Sequence, residues 1–123
     1  MLLEELTREI IGAAMEVHRI LGPGFLESIY RNALCHELRL RGLSFQMETE
    51  VRVGHKDHAV GCHRLDLLVE KQVIVELKVA TAIVEVHNAQ ALSYMKATGM
   101  KVSLIINFGG KSLTWKRLVK TRT

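Results

Sequence analysis

The chain has 123 residues, 48% hydrophobic and 24% charged, the profile of one globular domain rather than of a disordered or fibrous chain. Its formal net charge of +4 permits a nucleic-acid partner without demanding one, since many solvated surfaces carry such an excess. Two cysteines, Cys35 and Cys62, are too few for a disulfide scaffold and point to a reducing cytoplasm. The acidic start Met1-Leu2-Leu3-Glu4-Glu5-Leu6 is unlike a secretory signal. No apolar run approaches the roughly 20 residues that span a bilayer, so no membrane role is expected.

Leu3, Leu6, Ile10, Ala13, Ala14, Val17 and Leu21 recur at helical steps and predict an amphipathic helix over about residues 2 to 21. Gly22-Pro23-Gly24 stops it. A second helix follows on Leu26, Ile29, Ala33, Leu34 and Leu38, with Gly42 as its C-terminal cap. From Leu43 the period becomes alternating: Phe45, Met47, Val51 and Val53 read as a strand that turns at His55-Lys56-Asp57. Two strands over about 59–69 and 73–80 are parted by Glu70-Lys71-Gln72, and a third helix fits about 85–98, closed by Gly99. The apolar run Val102 to Phe108, a Gly109-Gly110 turn and a last strand with Leu113, Trp115 and Leu118 complete the order ααβββαββ. No repeat or linker interrupts it. A meander followed by a helix and more strand implies an α/β fold, a mixed sheet flanked by helices in one domain over residues 1–123.

The hairpin Arg64-Leu65-Asp66-Leu67-Leu68-Val69 and Val73-Ile74-Val75-Glu76-Leu77-Lys78-Val79 carries the chemistry. Alternation puts Leu65, Leu67 and Val69 on one face, and Val73, Val75, Leu77 and Val79 on one face of the next strand. A three-residue loop pairs Val69 with Val73, Leu67 with Val75 and Leu65 with Leu77, which sets Asp66 opposite Glu76 with Lys78 on the same face. The loop lacks the glycine usual in so tight a connection. Facing carboxylates repel unless a positive charge lies between them. Lys78 supplies part of that charge; a hard divalent cation, which takes carboxylate and carbonyl oxygens with water, supplies it better. The alternative is a solvated Asp-Glu-Lys cluster. Leu68 and Ile74 flank the trio, however, so a helix is expected over that face, and burying three charges without a task is costly.

Asp66, nine residues, then Glu76-Leu77-Lys78 resembles the D…(D/E)-x-K signature of the PD-(D/E)XK nuclease superfamily. Gly24-Phe25-Leu26-Glu27-Ser28-Ile29-Tyr30 resembles the segment that names the GxxExxY protein family. The stretches Glu16 to Pro23 and Ile105-Ile106-Asn107-Phe108-Gly109 are similar to that family too, and the resemblance runs from about Leu6 to Val119. It implies a restriction-endonuclease-like fold whose αβββαβ core lies within the derived order, and metal-dependent phosphodiester hydrolysis. Asp66, Glu76 and the Leu77 backbone carbonyl would then hold Mg²⁺ or Mn²⁺, polarising the phosphate and acidifying water. Lys78 would orient that water or stabilise charge on the phosphate; as a base it would have to lose its proton, which the two carboxylates oppose.

Superfamily members often carry an acid on the helix that here bears Glu27, which would stand beside the metal; otherwise Glu27 complements the helix dipole. Tyr30, one turn on, would steady it or serve as a core tyrosine. Gln90 and Tyr94, with His87 one turn earlier, resemble the Q-x-x-x-Y element of part of the superfamily, or else form a polar stripe toward solvent. Leu65 stands where the superfamily name has proline, and Val79 follows Lys78 where a small residue is more usual.

His55, His58, Cys62 and His63 match no standard zinc spacing. Gly22-Pro23-Gly24 is explained by ending one helix and starting the next, without a bound phosphate. Lys111, Lys116, Arg117, Lys120 and Arg122 gather near the C-terminus, either to track a nucleic-acid backbone or to keep an edge strand soluble. The expectation is a cytoplasmic Mg²⁺- or Mn²⁺-dependent nuclease, with DNA favoured over RNA and room for a homodimer or a partner protein. The competing expectation is a catalytically weak nucleic-acid-binding or protein-interaction module on the same fold.

Overall fold

A computed structural model describes residues 3–120. The elements run α1 (Glu4–Leu21), α2 (Glu27–Leu40), β1 (Phe45–His55), β2 (His58–Val69), β3 (Val73–Lys78), α3 (Glu85–Thr98), β4 (Val102–Asn107) and β5 (Thr114–Val119), the ααβββαββ order expected from the sequence. They build one five-stranded sheet in the order β1-β2-β3-β4-β5. Pairings are antiparallel except β3 with β4, which are parallel. Only that pair needs a crossover, and α3 supplies it.

The sheet divides two apolar layers of unequal size. On one face α1 and α2 bury Ile10, Ala13, Ala14, Val17, Tyr30, Leu34 and Leu38 against Leu67, Val69, Val75, Leu77, Leu104, Ile106 and Phe108. On the other, Met95 of α3 joins Val51, Leu65, Leu68 and Ile74. The small residues Ala13 and Ala14, both fully buried, let α1 lie close to its neighbours. Helix α2 ends with Gly42 at φ 75°, and Leu43 N–H donates to Leu38 O at 2.9 Å, the bond that closes a helix with a left-handed glycine. Every residue of β4 is buried, as a central strand covered on both faces requires.

The expected register holds where the ladder forms: Val69 pairs with Val73, Leu68 with Ile74 and Leu67 with Val75. The connection manages without glycine. Glu70 and Lys71 adopt φ 52° and 55°, and the Glu70 carboxylate offsets the strain by accepting the Ser44 N–H and hydroxyl, both at 2.6 Å. Beyond Leu67 the simple alternation fails. Glu48 stands at φ 51°, and Glu48 and Asp66, which the register sets opposite each other, drop out of the β1–β2 ladder while the pairs on either side keep it. Leu65 therefore joins Leu68 in the α3 layer, whereas Leu67 packs under α1 and α2. The expectation that Leu65 shares a face with Leu67 and pairs with Leu77 is thus corrected: both strands change faces where Glu48 and Asp66 leave the ladder.

Candidate active site

The irregularity at Asp66 is where the polar residues meet. The β2–β3 ladder ends at Leu67 and Val75, and side chains take over from the backbone. Leu77 N–H donates to Asp66 Oδ2 at 2.8 Å, and Asp66 N–H points to Glu76 Oε2 at 3.5 Å. Each carboxylate thus caps a backbone group that a regular ladder would have paired, which fixes both at the mouth of the sheet.

Glu76 is 6% exposed. Burial, then the hydrogen bond and charge of Asp66, push its pKa up to about 9, against a smaller opposing pull from Lys78. Its Oε1 has no hydrogen-bond partner; His63 Nε2 lies 3.5 Å from it. A buried, partnerless carboxylate oxygen is expensive.

Glu27 reaches the same place from the opposite layer. It opens α2 at the exposed rim, and partial desolvation followed by the charge of Asp66 raises its pKa, while Lys78 and Arg31 draw it down. Its helix is aimed by Tyr30, which is fully buried. The Tyr30 hydroxyl donates to Gly22 O and accepts Phe25 N–H at 3.2 Å, and its ring stacks on Phe108 at 4.7 Å. Those bonds fix the Gly22–Phe25 bend immediately before Glu27.

On the α3 side, Glu76, Lys78, His87, Gln90, Ala91, Tyr94, Ile105 and His63 line a pocket of about 130 Å³. Gln90 is exposed at its edge, and Tyr94 is half-buried. His87 Nδ1 accepts Val84 N–H at 3.1 Å, so it also caps the start of α3. The three α3 residues singled out from the sequence therefore face one cavity with Glu76 and Lys78.

His63 is the member that sequence reasoning missed. It stacks on Tyr94 at 3.9 Å and 11°, and desolvation lowers its pKa, with the charge of Asp66 opposing. Strict alternation puts His63 and Asp66 on opposite faces; only the reversal at Glu48 and Asp66 brings both to the site. Glu48 itself is held by Arg31 at 3.7 Å and Arg64 at 3.5 Å, so α2 and β2 both grip the irregular residue.

The basic residues near the C-terminus are not gathered. Lys111 lies in the β4–β5 connection, at the sheet end where Asn107 pairs with Lys78 and Thr114. Lys116 pairs with Ile105 on the α3 face and lines a shallow depression with Thr81, Ile83 and Asn88. Arg117 is on the α1 face, where its Nε donates to Thr7 Oγ1 at 3.2 Å. Lys120 sits at the far end of the sheet, its N–H on Lys101 O at 2.8 Å. Arg122 lies outside the described residues.

Among the described residues, no group of three or more His, Cys, Asp or Glu is arranged to hold a metal ion by itself. The donor set nevertheless fits a hard cation. Mg²⁺ is commonly held by one or two carboxylates and completes its shell with waters and substrate oxygens. Asp66 and the partnerless oxygen of Glu76 provide that minimum. No helix among the described residues is long and apolar enough to cross a membrane.

Comparisons with known proteins bear on the fold and the family. The crystal structure of SSO0001 superposes with a TM-score of 0.60 at 15% identity, covering 98% of this chain and 61% of that one. The likeness is one of fold, and the chain spans less than two-thirds of that protein's length. No curated protein matches the sequence. The family model of the PD-(D/E)XK nuclease superfamily matches residues 4–118. With nearly the whole chain covered, the protein belongs to the PD-(D/E)XK nuclease superfamily.

Proposed function

We propose that the protein is a divalent-cation-dependent nuclease that hydrolyses phosphodiester bonds of nucleic acid, DNA in preference to RNA. The observation that carries this is the state of Glu76: a buried carboxyl, pushed up to about 9 beside Asp66, with one oxygen unpartnered at the pocket. Such a pair holds two negative charges at neutral pH only when a cation joins it. Asp66, Glu76 and the Leu77 carbonyl would hold Mg²⁺ or Mn²⁺, with Glu27 beside them. The cation supplies Lewis acidity toward the phosphate and acidifies water. Lys78, half-buried in the same pocket, offers its ammonium to the phosphate oxygens and donates a hydrogen bond that orients the attacking water. Gln90 and His87 stand at the pocket edge to contact the substrate backbone, and Tyr94 and Tyr30 hold His63 and Glu27 in place.

The segment from Gly24 to Tyr30 supports the narrower GxxExxY assignment. Lys111 and Lys116, at the site end and on the site face respectively, are the basic residues best placed for a phosphate backbone; Arg117 and Lys120 would serve a longer track or a partner chain. Substrate choice would come from a homodimer or a partner protein.

The test is cleavage of single-stranded, duplex and branched DNA and of RNA in Mg²⁺ or Mn²⁺. Lys78→Ala is expected to lower kcat by about 100-fold or more. Binding without cleavage by the wild type would instead establish the catalytically weak module.

A further inference from the structure

Asn107 closes β4 at the point where β3 ends. It is 2% exposed, and its amide is spent on neighbouring backbone. Its Oδ1 accepts Ala80 N–H at 3.0 Å and Gly109 N–H at 2.9 Å, and its Nδ2 donates to Ala80 O at 2.9 Å. The parallel ladder reaches Lys78 and Asn107, and Phe108 N–H donates to Lys78 O at 2.9 Å. The Asn107 side chain therefore acts as one more rung and grips the chain just past Lys78. The packing there leaves no slack: a Cβ on Gly109 would sit 2.5 Å from Ala80 N and O. The clamped peptide also starts the connection that leads to His87 and Gln90 on α3. Asn107 is not among the residues that line the pocket.

We propose that Asn107 is a positioning residue for Lys78: by clamping Ala80 on both its N–H and its carbonyl, it fixes the end of β3 so that the Lys78 ammonium stays in the pocket beside Glu76. The proposal rests on the nuclease reading, because it assigns Asn107 an effect on turnover exerted through Lys78. A bidentate amide clamp suits this task, since a small displacement of a catalytic group can cost about 100-fold in rate.

The experiment compares wild type, Asn107→Ala, Asn107→Asp, Lys78→Ala and the Asn107→Ala/Lys78→Ala double variant on the best DNA substrate in Mn²⁺. Asn107→Ala is expected to lower kcat roughly 10- to 100-fold with KM and Mn²⁺ affinity almost unchanged. In the Lys78→Ala background the same substitution should cost nothing further, the non-additivity of residues acting as one unit. Asn107→Asp keeps both N–H acceptances but turns its second carboxyl oxygen toward Ala80 O. Protonated, it still donates and kcat should stay near wild type; once ionised, it repels that carbonyl and kcat should fall at least to the level of Asn107→Ala. This pH-dependent loss carries the test if Asn107→Ala does not fold. Amide exchange at Ala80 and Gly109 should quicken in Asn107→Ala, a readout independent of activity. Additive losses in the double variant, a rise in KM at constant kcat, or unchanged exchange would each overturn the proposal. A wild type that cleaves no nucleic acid overturns the nuclease reading itself, a result distinct from any of these.

Discussion

Replacing Glu76 by Gln should make the metal-free protein more stable at pH 8 and blind to Mn²⁺. The wild-type carboxyl is 6% exposed, and its pKa is raised from 4.5 to about 9 by burial and by Asp66. In the window between those values the folded chain keeps a proton that the unfolded chain has released, so stability falls as pH rises. Each pH unit there is worth at most about 1.4 kcal/mol. From pH 6 to pH 8 the wild type should thus lose about 1–3 kcal/mol, with the lower end set by sharing of the proton with Asp66. For a domain of this size that is a fall in Tm of roughly 3–15 °C. Glu76→Gln has no proton to lose at this site, so its Tm should barely change over the same range. Mn²⁺ at pH 8 should restore the wild type, because it favours the ionised pair, and should leave the variant where it was. Circular-dichroism melts at two pH values, with and without Mn²⁺, read all four states. The same pH slope in both proteins, or the same Mn²⁺ shift, would refute the reasoning.

Tyr30→Phe keeps the stack on Phe108 but leaves the Gly22 carbonyl and the Phe25 N–H without their partner. It should cost about 1–3 kcal/mol in urea unfolding, and an unchanged midpoint would show that the hydroxyl bonds do not hold the bend before Glu27. His63→Phe keeps a flat ring against Tyr94 and removes a group whose pKa is lowered from 6.5, first by desolvation. The folded wild type resists protonation that the unfolded chain accepts, so its stability should decline as pH falls below 6.5. The variant should lack that decline in Tm, and a decline of equal size in both would place its origin elsewhere.

The site was legible as far as local rules reach. The apolar alternation of β3 and the loop length placed Glu76 and Lys78 on the face that α3 covers, and helical spacing put His87, Gln90 and Tyr94 on one side of that helix. The pairing of Asp66 with Glu76 was legible as proximity, but the way it is achieved was not. Side-chain hydrogen bonds to Leu77 and Asp66 N–H replace ladder bonds, and no periodicity announces that. His63 was illegible for the same reason. The two-residue period that places a strand side chain holds only while the ladder stays regular, and it breaks where Glu48 and Asp66 leave the pairing. The dispersal of Lys116, Arg117 and Lys120 follows from alternation and length along β5, which closeness in sequence conceals.

The reversal at Glu48 and Asp66 also decides which parts of the molecule a bound ligand would tie together. Glu27 belongs to the α1–α2 layer, while Glu76, His63 and Tyr94 belong to the α3 layer, and Asp66 stands at the break where both can reach it. An ion or phosphate seated there would act as a rivet driven through the sheet, fastening its two layers together. Local opening of α2 and of α3 would then be coupled, and slow exchange on one side would imply slow exchange on the other.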